Sequence, residues 1–98
     1  MVQTACASRQ EAESIARTLL EEKLAACVQI SEIDSFYEWK KELCEDREYL
    51  LGIKTKKENY KKIQSKIKEN HSYDLPEIIG FKITKISKEY KEFINRNC

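Results

Sequence analysis

Asn70-His71-Ser72-Tyr73-Asp74-Leu75-Pro76-Glu77-Ile78-Ile79 separates two kinds of sequence. Before it, a lysine-rich stretch carries apolar residues at helical spacing. After it, apolar residues follow a strand pattern. The stretch holds the chain's only His and its only Pro. Pro76 fixes its own φ, lacks an N–H, and pushes Leu75 toward an extended conformation. A rigid turn therefore sits beside an imidazole and two carboxylates, Asp74 and Glu77. Two readings are open: a ligand site built on these groups, or a helix C-terminus where His71 meets the last carbonyls.

On the N-terminal side of this turn, Tyr60, Ile63 and Ile67 mark one apolar helical stripe, and Thr55-Lys56-Lys57-Glu58 has the pattern of a capping box. Lys56, Lys57, Lys61, Lys62, Lys66 and Lys68 fill the rest of that helix. They read as a solvated face whose stems cover apolar surface. On the other side, residues 77–84 predict a strand. Ser87 then caps a short helix with Tyr90, Phe93 and Ile94 on one face.

The first half has its own order. Residues 2–7 are apolar-rich and predict a strand. Ser8-Arg9-Gln10-Glu11 is a capping box, with Glu11 expected to reach back to the cap. Ala12, Ile15, Ala16, Leu19, Leu20 and Leu24 then give a buried helical stripe. Residues 26–40 predict a strand with a polar bend or bulge at 31–35, ending in Phe36, Tyr37 and Trp39. Residues 40–47 read as a charged turn, and 48–55 as the returning strand. Gly52 within that strand signals a bulge or close packing. The aromatic tip of this hairpin is either core or an anchor for another subunit.

The order β-α-β-β-α-β-α predicts an α+β fold, with a ferredoxin-like antiparallel sheet and helices on one face. In that topology the end of the first strand and the turn after the second long helix share one rim. Cys6, Ser8, His71, Tyr73, Asp74 and Glu77 should therefore converge. Cys6 and His71 together suit copper or zinc, with Asp74 and Glu77 as helpers, and Tyr73 and Pro76 should line an adjoining ligand cleft.

Composition narrows the classes. The chain has 98 residues, sized for one domain over 1–98, and combines 41% hydrophobic with 36% charged residues. That is a lean core for a lone subunit, and self-association would compensate. A net charge of +1 provides no global field for nucleic acid or membrane. No apolar run is long enough for a membrane helix, and no secretory leader pattern is visible. Cys6, Cys27, Cys44 and Cys98 show no CxxC spacing, which argues against structural zinc and for reduced thiols in the cytoplasm. Cys27 and Cys44 read as small apolar fillers. A Cys6–His71 nucleophile pair has no third orienting residue or oxyanion signature, so the chain reads as a non-enzyme. The aromatic motif of RNA-binding ferredoxin-like sheets is absent.

Five stretches in order resemble the CutA family of divalent-ion tolerance proteins: Glu22-Lys23-Leu24-Ala25-Ala26-Cys27-Val28, Tyr37-Glu38-Trp39, Ile53-Lys54-Thr55, His71 through Ile79, and Tyr90-Lys91-Glu92-Phe93-Ile94. The resemblance implies a tight homotrimer, similar in architecture to PII-type signalling proteins. It also implies cytoplasmic or organellar residence and a link to copper and other divalent ions, bound weakly if at all and not as an essential cofactor. Phe36, Tyr37 and Trp39 would then lie at the trimer interface. The family's proposed copper ligands fall on Cys6, Asn70 and His71, and Asn70 is a poor copper ligand. The chain also has Ser72 and Asp74 where the family usually has Pro and Glu, and Lys41 where it has Gly. The functional expectation is a trimeric divalent-cation response protein with weak copper or zinc binding at the rim. The alternative is a stable interaction scaffold or PII-like signalling module with no essential metal.

Overall fold

The computed structural model describes residues 1–98. In chain order it comprises β1 (Val2–Cys6), α1 (Arg9–Glu21), β2 (Cys27–Trp39), β3 (Glu42–Lys54), a single 3-10 turn at Lys57–Asn59, α2 (Tyr60–Asn70), β4 (Ile79–Gly80) and α3 (Lys88–Asn97). The strands form one antiparallel sheet in the order β2-β3-β1-β4. This is the ferredoxin-like arrangement expected from the element order. The core lies between the sheet and α1 and α2. There Val2, Cys6, Leu51 and Ile53 meet Ile15, Leu19, Ile63 and Ile67, all fully or almost fully buried. These are the period-2 positions of the strands and the i, i+3/i+4 positions of the helices, so each element buries one face. α3 buries Ile94, and Cys98 at its end lies against Thr55 just past β3.

Local chemistry accounts for the helix ends. Ser8 Oγ accepts from the Glu11 N–H, and Ser87 Oγ accepts from the Tyr90 N–H, so both serines cap as expected. Thr55 does not. Its hydroxyl donates to the Leu24 carbonyl at 2.6 Å and is buried, tying the end of β3 to the turn after α1. Lys56 takes the cap position without a side-chain bond.

The hairpin departs from the sequence expectation in three ways. No bend or bulge interrupts β2: pairing with β3 is continuous from Cys27↔Lys54 to Trp39↔Glu42. The polar run at 31–35 reflects a strand that has left the helical cover, and Arg47 bridges Glu32 and Asp34 across it. The turn is only Lys40 and Lys41, and residues 42–47 belong to β3. Gly52 sits in regular pairing, with room for a Cβ in ordinary contact with the Met1 side chain. The aromatic tip is not core. Phe36 is 67% exposed and Trp39 45%.

The fourth strand is also shorter than expected. Only Ile79 and Gly80 pair with β1, and Phe81 exchanges backbone hydrogen bonds with Met1. Residues 82–84 extend past the paired part of β1 and have no strand beside them. Gly80 is required where it stands, because a Cβ there would lie 2.8 Å from the Tyr60 ring of α2.

Lys40 and Lys41 have φ of 51° and 66°, a left-handed pair that the tight hairpin turn demands. Side chains with a Cβ resist this region by roughly 1–2 kcal/mol each, and Asn-Gly is the dipeptide that suits it. The double substitution Lys40→Asn with Lys41→Gly should raise unfolding free energy by about 1 kcal/mol after the extra entropy of Gly in the unfolded chain is deducted. Urea denaturation at fixed protomer concentration measures this. An unchanged or lower midpoint would show that the turn is unstrained.

Candidate functional site at the rim of the sheet

Three elements meet at the rim. β1 ends at Cys6, whose side chain alternation points into the helical layer, where it is fully buried. α2 ends at Asn70 with His71 in an extended conformation, so the chain turns back over the end of β1. β3 passes beneath with Glu48 on the opposite face from Leu51, and Glu48 is only 8% exposed. The predicted convergence of Cys6 and His71 is present: Sγ and Nε2 are 3.8 Å apart.

The imidazole has partners on both nitrogens. Nδ1 accepts from the Tyr73 N–H at 3.1 Å, and Nε2 lies 2.8 Å from the Ala5 carbonyl oxygen. A carbonyl accepts and does not donate, so the network assigns a neutral ring protonated on Nε2. Tyr73 continues the network. Its ring stacks obliquely on His71, with centroids 4.8 Å apart, and its hydroxyl donates to Glu48 at 2.8 Å. Burial and this hydrogen bond push the Tyr73 phenol pKa up. Burial first, then the negative charges of Glu11 and Glu48, push the Cys6 thiol up to about 12.

Glu11 was expected to close the capping box onto Ser8. It turns instead to the rim, where one carboxylate oxygen accepts from the Ser72 N–H and the other from its hydroxyl. The start of α1 is thereby pinned to the turn after α2, which is 61 residues away. Asn70 is occupied within its own helix, donating to the Lys66 carbonyl. Asp74 and Glu77 do not join Cys6 and His71. Glu77 accepts from the Gln3 side chain at 2.7 Å, and Asp74 is exposed. Both instead line a cavity on the open face of the sheet. Tyr73 also lines it, and Pro76 is not among its lining residues. The residues missed from sequence are Glu11 in its rim role, the Ala5 carbonyl and Glu48. No spacing signal marks them, because each partner lies at least 25 residues away.

Two donors face each other, and no group of three or more His, Cys, Asp or Glu side chains is gathered anywhere. Coordination requires a thiolate and a free imidazole lone pair. In the metal-free chain burial pushes the Cys6 thiol up, and both ring nitrogens have hydrogen-bond partners. The arrangement instead closes the sheet's end: His71 and Ser72 lock α1, α2 and β1 together.

Comparison with known proteins places these features in context. Residues 1–97 match the family model described as CutA1 divalent ion tolerance protein. A divalent-cation tolerance protein CutA of Thermus thermophilus is 38% identical over 92% of this chain and 88% of its own length. A CutA homologue of Encephalitozoon cuniculi is 39% identical over 90% of this chain and 77% of its own. Among solved structures, a periplasmic divalent cation tolerance protein CutA from Archaeoglobus fulgidus superposes with a TM-score of 0.95 at 35% identity, covering 98% of this chain and 94% of that one. A PII-like protein CutA from Nostoc gives a TM-score of 0.87 at 32% identity, covering 95% and 90%.

The buried thiol sets a test. A shift from the ordinary 9.0 to about 12 leaves native Cys6 with about a thousandfold less thiolate than an exposed cysteine near neutral pH. Iodoacetamide at pH 8 followed by peptide mass analysis should label Cys6 at least that much more slowly in the native protein than in urea. Rapid native labelling would show an open, activated rim.

Proposed function

We propose, since the chain belongs to the CutA1 divalent ion tolerance family, that it works as a homotrimeric, non-enzymatic response module whose role is exerted through assembly and partner contacts rather than through a resident metal. The observation that carries this reading is the pair of unsatisfied sheet edges. β2 presents a free edge 13 residues long. At the opposite edge, the segment after β4 has a strand sequence but no strand beside it. Ile79 in β4 and Phe81 and Ile83 beyond it alternate along this edge and remain 48%, 46% and 38% exposed. Such edges invite pairing with another chain. The two edges differ, so pairing one against the other is heterologous, and it forms a ring when the rotation between neighbours closes. Three copies is the number the family resemblance implies.

Charge supports the same contact. Residues 31–48 of the hairpin carry seven acidic and three basic side chains, whereas Lys82, Lys85, Lys88 and Lys91 flank the other edge. Opposite potentials steer such encounters and fix their register. The exposed Phe36, Tyr37 and Trp39 supply the apolar contact at the hairpin's outer half. A buried thiol and an imidazole with partners on both nitrogens support the non-enzymatic reading. A reducing, cytoplasmic setting accords with four unpaired cysteines, and no helix is long and apolar enough to cross a membrane.

Light scattering at micromolar concentration should return three times the 11.6 kDa chain mass. Trp39→Ala should weaken assembly by about 2–4 kcal/mol, in the range of a central aromatic anchor. A monomeric wild type would overturn the reading, and a trimer unaffected by Trp39→Ala would remove Trp39 from the interface.

The rim's role is tested separately. Calorimetric titration with zinc or copper(II) should give weak binding that is the same within about threefold for wild type, Cys6→Ser and His71→Ala, a difference below 1 kcal/mol. His71→Ala should lower the melting temperature, because it leaves the Ala5 carbonyl and Tyr73 N–H unpaired. A tight site lost in both variants would make the rim a metal centre after all.

A further inference from the structure

The cavity on the open face of the sheet has a volume of about 720 Å³. Its walls include the rings of Tyr37, Trp39 and Tyr73 and three carboxylates, Glu48, Asp74 and Glu77. No Lys or Arg lines it, although the chain has 18 of them and a net charge of +1. The chain's ion pairs draw on Arg9, Arg17, Arg47 and Lys66, and none involves these three carboxylates. Glu48 is the costly one. It is almost wholly buried and accepts from the Tyr73 hydroxyl, with no cation beside it. A buried carboxylate without a counter-charge is unfavourable.

Tyr37 and Trp39 are rings that the assembly reading sets against a neighbouring subunit, so what fills the cavity comes from that subunit. Ring symmetry decides which of its side chains arrive. Rotation about the axis of a closed ring keeps the inner side of every subunit inward. A neighbour's edge that extends the sheet beside β2 therefore adds its own open face to this one. In β1, Val2 and Cys6 belong to the core under the helices, so Gln3 lies on the open face. Ile79 pairs with Gln3 and shares that face, while Gly80 pairs with Val2 and meets Tyr60 of α2. Continued alternation puts Phe81, Ile83 and Lys85 in one row with Ile79. Lys82 and Thr84 fall on the other side and line a separate cavity with Lys57 and Tyr60; Lys85 is not among its lining residues.

We propose that the open-face cavity is the seat of the edge segment of a second copy of this chain, with the partner's Phe81 and the partner's Ile83 against the Tyr37 and Trp39 rings and the partner's Lys85 ammonium between Glu48 and Asp74. This contact rests on the ring assembly described above and adds to it the pair that fixes the register. It supplies the counter-charge that Glu48 lacks within its own chain. It also covers apolar groups on both sides: the hairpin rings on one, the half-exposed Phe81 and Ile83 on the other. An ammonium enclosed by aromatic faces gains further from the ring quadrupoles.

Two measurements on the full chain test it. In the first, isotope-labelled and unlabelled chains are refolded together and treated with a water-soluble carbodiimide, which joins an amine to a carboxylate in contact with it. Peptide mass analysis should find Lys85 joined to Glu48 or Asp74, with one labelled and one unlabelled half, the mark of a bond between subunits. The second is charge reversal at two exposed positions, which spares the fold of the single chain. Lys85→Glu and Asp74→Lys should each raise at least tenfold the concentration at which the assembly half dissociates. The double variant should return to within threefold of wild type. Unchanged assembly in Lys85→Glu, or a double variant no better than the single ones, would overturn the proposal. Light scattering on the same samples keeps the readings apart. A monomeric wild type defeats the ring itself, whereas a trimer without the mixed cross-link and without rescue defeats the cavity contact alone.

Discussion

Continuous antiparallel pairing of β2 with β3 is the constraint on which the molecule depends. The register runs unbroken from Cys27↔Lys54 to Trp39↔Glu42, with Lys40 and Lys41 closing it in a left-handed turn. At about 3.3 Å per residue such strands reach roughly 40 Å, most of the molecule's 45 Å long axis. The helices are shorter. They cover Leu51 and Ile53 at the root, and the outer half of the hairpin has no helical cover. The exposed aromatic rings, the free edge and the open-face cavity all follow from that mismatch of lengths.

At the rim, polar groups do what the lean core cannot. Glu11, Ser72, His71, Tyr73 and Glu48 form a chain of hydrogen bonds that spans α1, the turn after α2, β1 and β3. Each bond is worth about 1 kcal/mol net, but breaking one leaves a buried group unpaired at greater cost. This explains how a titratable cluster can be structural. The same imidazole that resembles a ligand in sequence has already used both nitrogens. The thiol beside it is held protonated by burial and by two carboxylates.

At the rim Cys6 and His71 face each other without Asp74 or Glu77 beside them. The surface offers other features: two free sheet edges, a hairpin rich in acidic side chains, a lysine-rich segment after β4, and an aromatic, carboxylate-lined cavity. The rim keeps the elements that carry them in fixed relation.

Much of this was legible in the chain's order of residues. Periodicity located the helices, Ser8 and Ser87 announced two of their starts, and the β-α-β-β-α-β-α order was enough to bring Cys6 and His71 together from 65 positions apart. Such signals are local, or follow from topology, and a sequence displays both. Other outcomes depended on neighbours that no spacing reveals. Thr55 looked like a cap but found the Leu24 carbonyl, and Glu11 looked like half of a capping box but found Ser72. The polar run at 31–35 looked like a bulge, because sequence does not show where helical cover ends. Residues 77–84 had the pattern of a full strand, yet β1 pairs with only two of them. Side-chain type and period determine what an element can be. Which partner each polar group takes, and how far a strand stays paired, is decided only when distant segments compete for the same atoms in the folded chain.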